Sequence, residues 1–455
     1  MKRVMVAAAA LSAFVFASTA RADEGDKRLH QMEEMIEVQQ AQIASQQAQI
    51  LMLSQQVQQL MTGAKAAGRI AASVPVAPSR SGQIVPPPAT VATTIKKKPA
   101  SVKSGGKKAS LTLSGHVNRA ALFYDDGETS DVRSVDNDNS STRVRLKGKV
   151  KPSEGIVVGS TIEVEIESNS SRNITQDDNE SAEDTNNDGS RSSSDVNFSE
   201  RIIELYVDSK KYGKLSLGQG SGASDKTFES DLSGTKLVAS SDVKDVGGDL
   251  FFARRDGMFS TIQVDTAFNN MDGLGRADRV RYDTPMYRGL RASTAYLDGG
   301  AWDAALRYGQ KLFTFKVIAA AGYANTASTS SSMKSQFSGS ISVLHNSGLN
   351  LTVAGATRDM SGAASNRDPH SIYGKLGYKA KLIKIGSTAF SVDYRGTWDL
   401  PMKGAEGDSM AFAVVQNVTD WGTELYASYR RLKLDVPGLS LDDMDTVLAG
   451  ARVTF

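Results

Sequence analysis

Residues 443–455 read DMDTVLAGARVTF, and this last stretch of the chain alternates between two kinds of side chain. One parity carries Val447, Ala449, Ala451, Val453 and Phe455, and the other carries Thr446, Gly450, Arg452 and Thr454. Because successive strand residues point to opposite faces, the pattern predicts a strand with one apolar and one polar face. Such a strand suits an outer-membrane barrel, with lipid outside and water inside. It also suits the last strand of a soluble β-sandwich.

The other end of the chain favours the barrel. Lys2 and Arg3 precede an apolar stretch at residues 4–17, and Ala20-Arg21-Ala22 supplies a small-x-small cleavage site. Residues 1–22 are therefore predicted to be a secretory signal peptide, and the mature protein is expected to begin near Asp23. Nothing downstream offers the roughly 18 apolar residues that a spanning helix needs, so an exported chain would reach a membrane only as a barrel.

Composition argues against catalytic and metal chemistry. The chain contains no cysteine, which excludes disulfides, thiolate catalysis and sulfur-ligated metals. The four histidines, which share no ligand spacing, are His30, His116, His345 and His370. Neither a hydrolase elbow nor a phosphate-binding loop is recognisable. We expect no catalytic residue, no cofactor and no enzymatic activity.

The net charge of +2 hides three unlike regions. Without Lys2, Arg3 and Arg21, the mature chain has a net charge of −1. Residues 23–61 carry two bases against six acids and are at −4, whereas residues 62–110 carry nine bases and no acid. By subtraction, residues 111–455 are at −6.

Within residues 23–61, the five heptads that begin at Leu29 contain no glycine or proline. Position a holds Leu29, Ile36, Ile43, Ile50 and Val57, and position d holds Met32, Gln39, Gln46, Leu53 and Leu60. The repeat predicts a coiled coil. Isoleucine at a with glutamine at d favours more than two strands, and a trimer is the preferred state. A single amphipathic helix and a disordered Gln-rich tail are the alternatives.

Residues 62–110 contain six prolines and the run Lys96-Lys97-Lys98, a composition that predicts an extended linker. Its charge could hold it to anionic lipid or to a cell-wall polymer, or simply keep it solvated.

From residue 111 onward, short alternating segments are separated by Gly, Asp, Asn and Ser, which favours an all-β barrel. One segment places Arg143, Arg145, Lys147, Lys149 and Lys151 on one parity, and the next places Glu163, Glu165 and Glu167 on one parity. Paired as a hairpin, the two strands bring cations beside carboxylates. In a soluble sheet this would be an exposed salt-bridge ladder; in a large barrel it would be a charged pore wall.

At this point the chain resembles the trimeric general porins of Gram-negative outer membranes. The matching stretches are STRVRLKG at residues 141–148, RIIELYVDSKKYGKLSLG at 201–218, RVRYDTPMYRGLRASTAY at 279–296, and the terminal GARVTF. They occur in the order of the family and span residues 111–455, whereas the coiled coil and the linker lie outside the basic porin pattern.

The resemblance implies a transmembrane antiparallel β-barrel of 16 strands, with both ends in the periplasm and a third extracellular loop folded into the lumen. Residues 219–246 correspond to that loop. The resemblance implies an acidic loop, carrying Asp225, Glu229, Asp231 and Asp242, that faces a basic wall carrying Arg143, Arg145, Lys147 and Arg201.

Two features depart from the family pattern. Simple parity places Arg201 with Ile203 and Leu205 on the apparent lipid face. An extra hairpin suggested by residues 251–268 would give 18 strands, unless it belongs to an enlarged loop.

The acidic loop at residues 177–195 partly matches a calcium-binding loop. The candidate ligands are Asp184, Asn186, Asp188 and Asp195. Asp replaces the usual bidentate Glu at the last position and no helix flanks the loop. A solvated loop, or loose divalent bridging of lipopolysaccharide, is the simpler interpretation, and we predict no specific metal site.

The sequence thus predicts a passive channel for small hydrophilic solutes and ions in the outer membrane, with its N-terminal extension in the periplasm. Expected partners are two further copies in a homotrimer, outer-membrane lipid and lipopolysaccharide, and cell wall, but no nucleic acid. An acidic barrel suggests a mild cation preference, while the Arg143–Lys151 ladder leaves an anion-selective specific porin open. A second hypothesis is structural: the coiled coil and linker would tether the outer membrane to the cell wall.

Overall fold

The computed structural model describes residues 102–106, 108–176, 196–326, 332–362 and 366–455. These residues fall in one compact unit, residues 94–455. The predicted signal peptide, residues 1–22, and the predicted coiled coil, residues 23–61, lie outside the described residues. So do most of the predicted linker and the candidate calcium loop. None of the helices in the described part of the chain is long and apolar enough to cross a membrane.

Antiparallel strands dominate the described chain. In chain order they are β1 (Val102–Ser104), β2 (Ala109–Asp125), β3 (Ser130–Asp136), β4 (Arg143–Ser153), β5 (Ile156–Ser168), β6 (Val196–Ser209), β7 (Gly213–Ser221), β8 (Phe251–Ala253), β9 (Phe259–Gln263), β10 (Arg276–Asp283), β11 (Leu290–Leu297), β12 (Trp302–Leu312), β13 (Phe315–Asn325), β14 (Met333–His345), β15 (Leu349–Met360), β16 (His370–Ile383), β17 (Gly386–Trp398), β18 (Glu406–Val418), β19 (Thr423–Asp435) and β20 (Met444–Thr454). One short α-helix, α1 (Val264–Ala267), and short 3-10 turns, including Asp138–Ser140 and Val243–Asp245, complete the elements of the described residues.

The main sheet closes on itself. It contains eighteen strands, of which β1 and β3 pair only with parts of β2, so sixteen strands form the barrel wall. The last strand, β20, pairs with β2, and Gly115 and Phe455 exchange two backbone hydrogen bonds of 2.8 and 2.9 Å at the seam. The preferred prediction of 16 strands is confirmed, since β8 and β9 form a separate two-stranded sheet inside one long loop.

The first strand begins inside the predicted linker. β1 pairs Val102 with Leu113, on the edge of β2 that β20 leaves free. β2 itself begins at Ala109, two residues before the predicted start of the barrel at residue 111. The C-terminal end of the 62–110 region is therefore part of the sheet.

The two ends of the barrel differ in the length of their connections. At one end short turns join β4 to β5, β6 to β7, β12 to β13, β14 to β15, β16 to β17 and β18 to β19. At the opposite end most connections are longer, apart from the short β11–β12 connection, and the longest, residues 222–275, joins β7 to β10. Both Ala109 and Phe455 lie toward the short-turn end.

Side chains alternate across the wall as the sequence predicts. On β15, Leu349 and Leu351 are half exposed on the outer face, whereas Asn350 and Thr352 are buried on the inner face. On β20, Val447 and Val453 are exposed and Thr446 is buried, and Phe455, directly after the strand, is exposed as well. An apolar outer face and a polar inner face are what a wall between lipid and water requires.

Aromatic side chains on the outer face concentrate near both ends of the strands. Phe313, Trp421 and Phe455 lie at the short-turn end, and Tyr296 and Trp302 lie at the other. Such rings suit the two interfaces of a bilayer.

Candidate functional site

The connection between β7 and β10 lies against the inner wall of the barrel. Residues 222–275 are called the inner loop below. At its start, the carboxylate of Asp303 on β12 accepts hydrogen bonds from the backbone amides of Ala223 and Ser224 at 2.9 and 2.8 Å. Arg307 on the same strand donates to the carbonyl oxygens of Ala223, at 2.7 Å, and Asp225. Charged side chains of β12 therefore hold the start of the loop against the wall.

Serines of β14 receive the next part of the inner loop. Ser338 shares a hydroxyl contact of 2.6 Å with Thr227, and Ser340 donates to the Thr227 carbonyl at 2.6 Å. The Ser340 hydroxyl also accepts from the amide of Ser230 at 3.0 Å. Because small hydroxyl side chains line this part of the wall, the loop backbone can lie close to the strand.

The opposite side of the lumen is apolar instead of polar. Inward residues of β2, β19 and β20 are buried against the inner loop, including Leu122, Tyr124, Leu432, Met444 and Leu448. The loop side chains that pack on them include Val243, Val246, Leu250, Phe252, Val264 and Phe268. The loop thus has its own hydrophobic core within the barrel, and β8, β9 and α1 supply much of it. This core explains the extra hairpin in residues 251–268: it belongs to an enlarged loop.

A polar cavity of about 570 Å³ remains between the inner loop and the wall. Its acidic lining residues are Asp138, Glu165, Glu167, Asp225, Glu229, Asp242, Asp245 and Asp272. Its basic lining residues are Arg143, Arg172, Arg201, Lys226, Lys244, Arg276 and Arg358. Eight acids against seven bases give this lining a formal charge of −1. A cavity of this composition accommodates water and polar solutes.

The wall side of the cavity contains a five-membered ion cluster. β4 and β5 pair so that Arg143 lies opposite Glu165 and Arg145 opposite Glu163. Arg201 joins both carboxylates, donating from Nε to Glu163 Oε1 at 3.1 Å and from Nη1 to Glu165. Three arginines against two glutamates leave the cluster at +1, so the wall is much less basic than its arginines alone suggest.

A β-bulge turns Arg201 inward. The register of β5 and β6 pairs Glu163 with Ile202 and Val164 with Glu200, which leaves Arg201 as the extra residue. Beyond the bulge the parity reverses, because Phe198 and Ile203 both face outward. The parity argument that placed Arg201 on the lipid face is therefore wrong. The apolar Phe198 and Ile203 on opposite parities were the sequence signal for this bulge.

The loop side of the cavity holds a charged cluster around Glu229. Its carboxylate contacts the ammonium groups of Lys236 at 2.7 Å and Lys226 at 3.1 Å. Burial alone would raise the pKa of Glu229, but Lys236 and Lys226 outweigh it and hold this pKa below its ordinary value. Burial, together with Glu229 and Asp225, raises the pKa of Asp272 well above the ordinary carboxyl range. These shifts favour the charged form of Glu229 and the protonated form of Asp272.

A second group of acids lies where the inner loop meets Asp138. Burial, followed by Asp242 and Asp138, raises the pKa of Asp245 well above its ordinary value. Burial and Glu165 also raise the pKa of Asp138. Asp138, Glu165 and Glu167 also bring three carboxylate oxygens within 4.8 Å of one another. Burial and like charges this close both oppose full ionisation of these acids, which reduces the negative charge of the cavity.

The structure brings together some of the predicted site residues and separates others. Asp225, Glu229 and Asp242 of the loop share the cavity with Arg143 and Arg201 of the wall.

The remaining predicted residues lie outside this lining. Asp231 points to the wall, where it pairs with Lys375 at 2.7 Å. Arg145 pairs with Glu163, and Lys147 lies one inward position further along β4, opposite Thr161.

Three arginines that line the cavity were not predicted from the sequence. Arg358 on β15 donates to Gln336 at 2.7 Å and to Asn269 of the loop at 3.1 Å. It shares the inward parity of Asn350 and Thr352, so alternation along β15 could have found it. Arg172 and Arg276 lie at a loop and at a strand end, where parity gives no guidance.

A closed barrel with a polar, charged cavity inside it defines the class of β-barrel channels. The model of the Gram-negative porin family matches residues 72–436 of this chain. The chain therefore belongs to that family, and it forms an outer-membrane channel for passive diffusion. No curated protein sequence gives a significant match.

Solved structures support the fold. The chain is similar to the anion-selective porin from Comamonas acidovorans, with 16% identity and a TM-score of 0.51 over 76% of this chain and 100% of that one. It is also similar to a loop L8 deletion mutant of OmpT, an outer membrane protein of Vibrio cholerae. There the identity is 13% and the TM-score 0.50, over 77% of this chain and 100% of that one. At these identities the similarity concerns the fold alone.

Proposed function

We propose that small hydrophilic solutes and ions cross the barrel through the cavity between the inner loop and the part of the wall that carries Arg143 and Arg201. The observation that carries this proposal is the placement of Asp225, Glu229 and Asp242 opposite Arg143 and Arg201 around one polar cavity. The apolar core of the loop fills the lumen beside β2, β19 and β20, so this cavity is the narrow part of the pore. The channel performs no chemical step.

Opposed charges across a narrow pore favour solutes with a dipole and exclude apolar ones. The formal charge of the lining is −1, and protons on Asp245 and Asp272 would change it to +1. We therefore expect weak ion selectivity at neutral pH. The acidic loop and the basic wall each set one part of this balance.

The reversal potential under a salt gradient in planar bilayers tests whether this cavity sets the ion selectivity of the pore. Asp225→Asn removes a loop charge and should shift the potential toward anion preference, whereas Arg276→Gln removes a wall-side charge and should shift it toward cations. Asp298→Asn is the control, because Asp298 is exposed in the short β11–β12 connection. Equal potentials for all three variants and the wild type would reject this cavity as the selective part of the pore.

The assembled form proposed here is a homotrimer in the outer membrane, in contact with lipid and lipopolysaccharide. The heptad repeat in residues 23–61 would support the trimer from the periplasm, because isoleucine at a and glutamine at d suit more than two strands. Mass measurement of the detergent-solubilised protein, with and without this segment, tests both parts.

A tether between membrane and cell wall is the second candidate function. The charge of +9 over residues 62–110 favours it, because an acid-free basic segment attracts anionic polymers. Deletion of residues 29–101 retains β1 and should leave conduction intact. If the tether exists, the same deletion abolishes sedimentation of the protein with isolated cell wall.

A further inference from the structure

Two buried cations on adjacent wall strands contact separate parts of the inner loop. Lys375 projects from the inner face of β16 and is 1% exposed. Its ammonium lies 2.7 Å from Oδ2 of Asp231 and also donates to the carbonyl oxygen of Ala239. Lys375 thus joins the wall to two points, Asp231 and Ala239, in the part of the loop that follows β7.

Arg395 makes the corresponding contact from β17. It is fully buried, and its Nη1 donates to the carbonyl oxygen of Ser241 at 2.6 Å. Its Nη2 donates to the carbonyl oxygen of Asn269, in the part of the loop that leads to β10. Its guanidinium lies 5.3 Å from the ring centre of Phe228. One side chain therefore connects both arms of the loop to the wall.

These contacts adjoin the cavity. Ser240, Asp242, Asn269 and Asn270 all line it, and they are the residues that Arg395 holds or their immediate neighbours in the chain. Any displacement of the Ser241 or Asn269 backbone would carry these lining side chains with it. The positions of Lys375 and Arg395 therefore bear directly on the width of the cavity.

We infer that Lys375 and Arg395 are positioning residues that fix the inner loop, and thereby set the conductance of the channel. This inference rests on the proposed passage of ions through the cavity. Charge-assisted hydrogen bonds are stronger than the neutral hydroxyl contacts along β14, and a buried ammonium without its carboxylate partner is unfavourable. Removing the Lys375–Asp231 pair lets the segment from Asp231 to Ala239 move away from the wall, while the barrel itself stays closed.

The test is single-channel recording of the variant K375M/D231N, which removes both charges and leaves neither one buried alone. The expected result is a folded barrel, by resistance to SDS without heating, whose open-channel current variance rises about twofold or more, with new conductance levels, as a released segment samples several positions. K375R/D231E, which retains the ion pair, should behave more like the wild type. R395Q should give the same noise as K375M/D231N.

A disulfide provides the rescue. Thr235 of the loop and Ser391 of β17 are buried, and their hydroxyl oxygens lie 2.8 Å apart. The chain has no cysteine, so T235C/S391C introduces the only thiols. In the K375M/D231N background, oxidation should restore the quiet wild-type conductance, and reduction should bring the noise back. If K375M/D231N alone does not fold, the oxidised quadruple variant is compared before and after reduction in the bilayer.

Three results would overturn the inference: wild-type conductance and noise in K375M/D231N, persistent noise after the disulfide has formed, or unchanged current when the quadruple variant is reduced. Each concerns a channel whose wild type conducts through the cavity. Failure of the proposed function would appear differently, as wild-type current that is insensitive to changes in the cavity lining.

Discussion

Arg201 donates a hydrogen bond from Nε to Oε1 of Glu163 at 3.1 Å on the inner face of the barrel, although its near neighbours Ile203 and Leu205 face outward. The bulge that makes this possible inserts one residue into β6 and turns its side chain toward the lumen. Bulges commonly re-aim a side chain beside a functional site. Here the result is that a third arginine joins two carboxylates that already face Arg143 and Arg145.

Replacing Arg201 should destabilise the barrel. Arg201→Leu removes one of the positive charges that balance the largely buried carboxylates of Glu163 and Glu165. Breaking a buried ion pair typically costs about 3–5 kcal/mol of stability. We expect a loss toward the lower end of this range, because Arg143 and Arg145 remain. Urea unfolding in detergent, followed by tryptophan fluorescence, measures it.

Arg431→Leu is the matched control for Arg201→Leu. Arg431 also pairs with carboxylates, Asp443 and Asp445, but it is almost half exposed on the outer rim. Exposed ion pairs contribute little to stability, so this variant should unfold close to the wild type. Equal effects of the two substitutions would contradict the account of the buried cluster.

Ion selectivity should depend on pH through Asp272. Burial, together with Glu229 and Asp225, raises the pKa of Asp272, so its carboxyl ionises at a higher pH than an ordinary carboxyl does. The added negative charge should increase cation permeability relative to anions as the pH rises through this raised pKa. Reversal potentials recorded from acidic to alkaline pH measure the change.

Asp272→Asn should make that pH response smaller without abolishing it, because burial also raises the pKa of Asp245. The control Asp298→Asn should keep the full response. A selectivity that moves toward anions as the pH rises would contradict the assigned protonation of these carboxyls.

The seam of the barrel depends on a small residue at position 115. A side chain there would meet the carbonyl oxygen of Arg143 at 2.6 Å and the ring of Phe455 at 2.8 Å. Gly115→Val should therefore prevent Phe455 from completing the closure and should sharply reduce the yield of SDS-resistant barrel. Gly374→Val on β16 meets nothing within 4 Å and should fold normally. Comparable yields for the two variants would show that the seam tolerates a side chain.

Much of the wall was predictable because alternation is a local property. The terminal strand and the β4–β5 ion ladder follow from residues close together in the sequence. The family resemblance supplied the inward-folded loop and the strand number, which the alternating segments alone would have given as 18.

The interior of the barrel was harder to predict for physical reasons. Asp231 looks like any other loop acid, but its pairing with Lys375 depends on a contact between residues far apart in the chain. Leu448 lies on the polar parity of β20, and only the apolar core of the loop accounts for it. Parity also fails at bulges and strand ends, which is why Arg201 was misplaced and Arg276 was missed.

Chemical modification of a single cysteine in the cavity lining shows whether ions pass through the cavity. Gly275 lines the cavity, is exposed, and has open space where a side chain would begin, so Gly275→Cys should fold and react. The exposed Gly106, outside the cavity, provides the control variant Gly106→Cys. A bulky charged thiol reagent should reduce the single-channel current of Gly275→Cys and leave Gly106→Cys and the wild type unchanged. Complete labelling of Gly275→Cys without any change in current would contradict passage through this cavity.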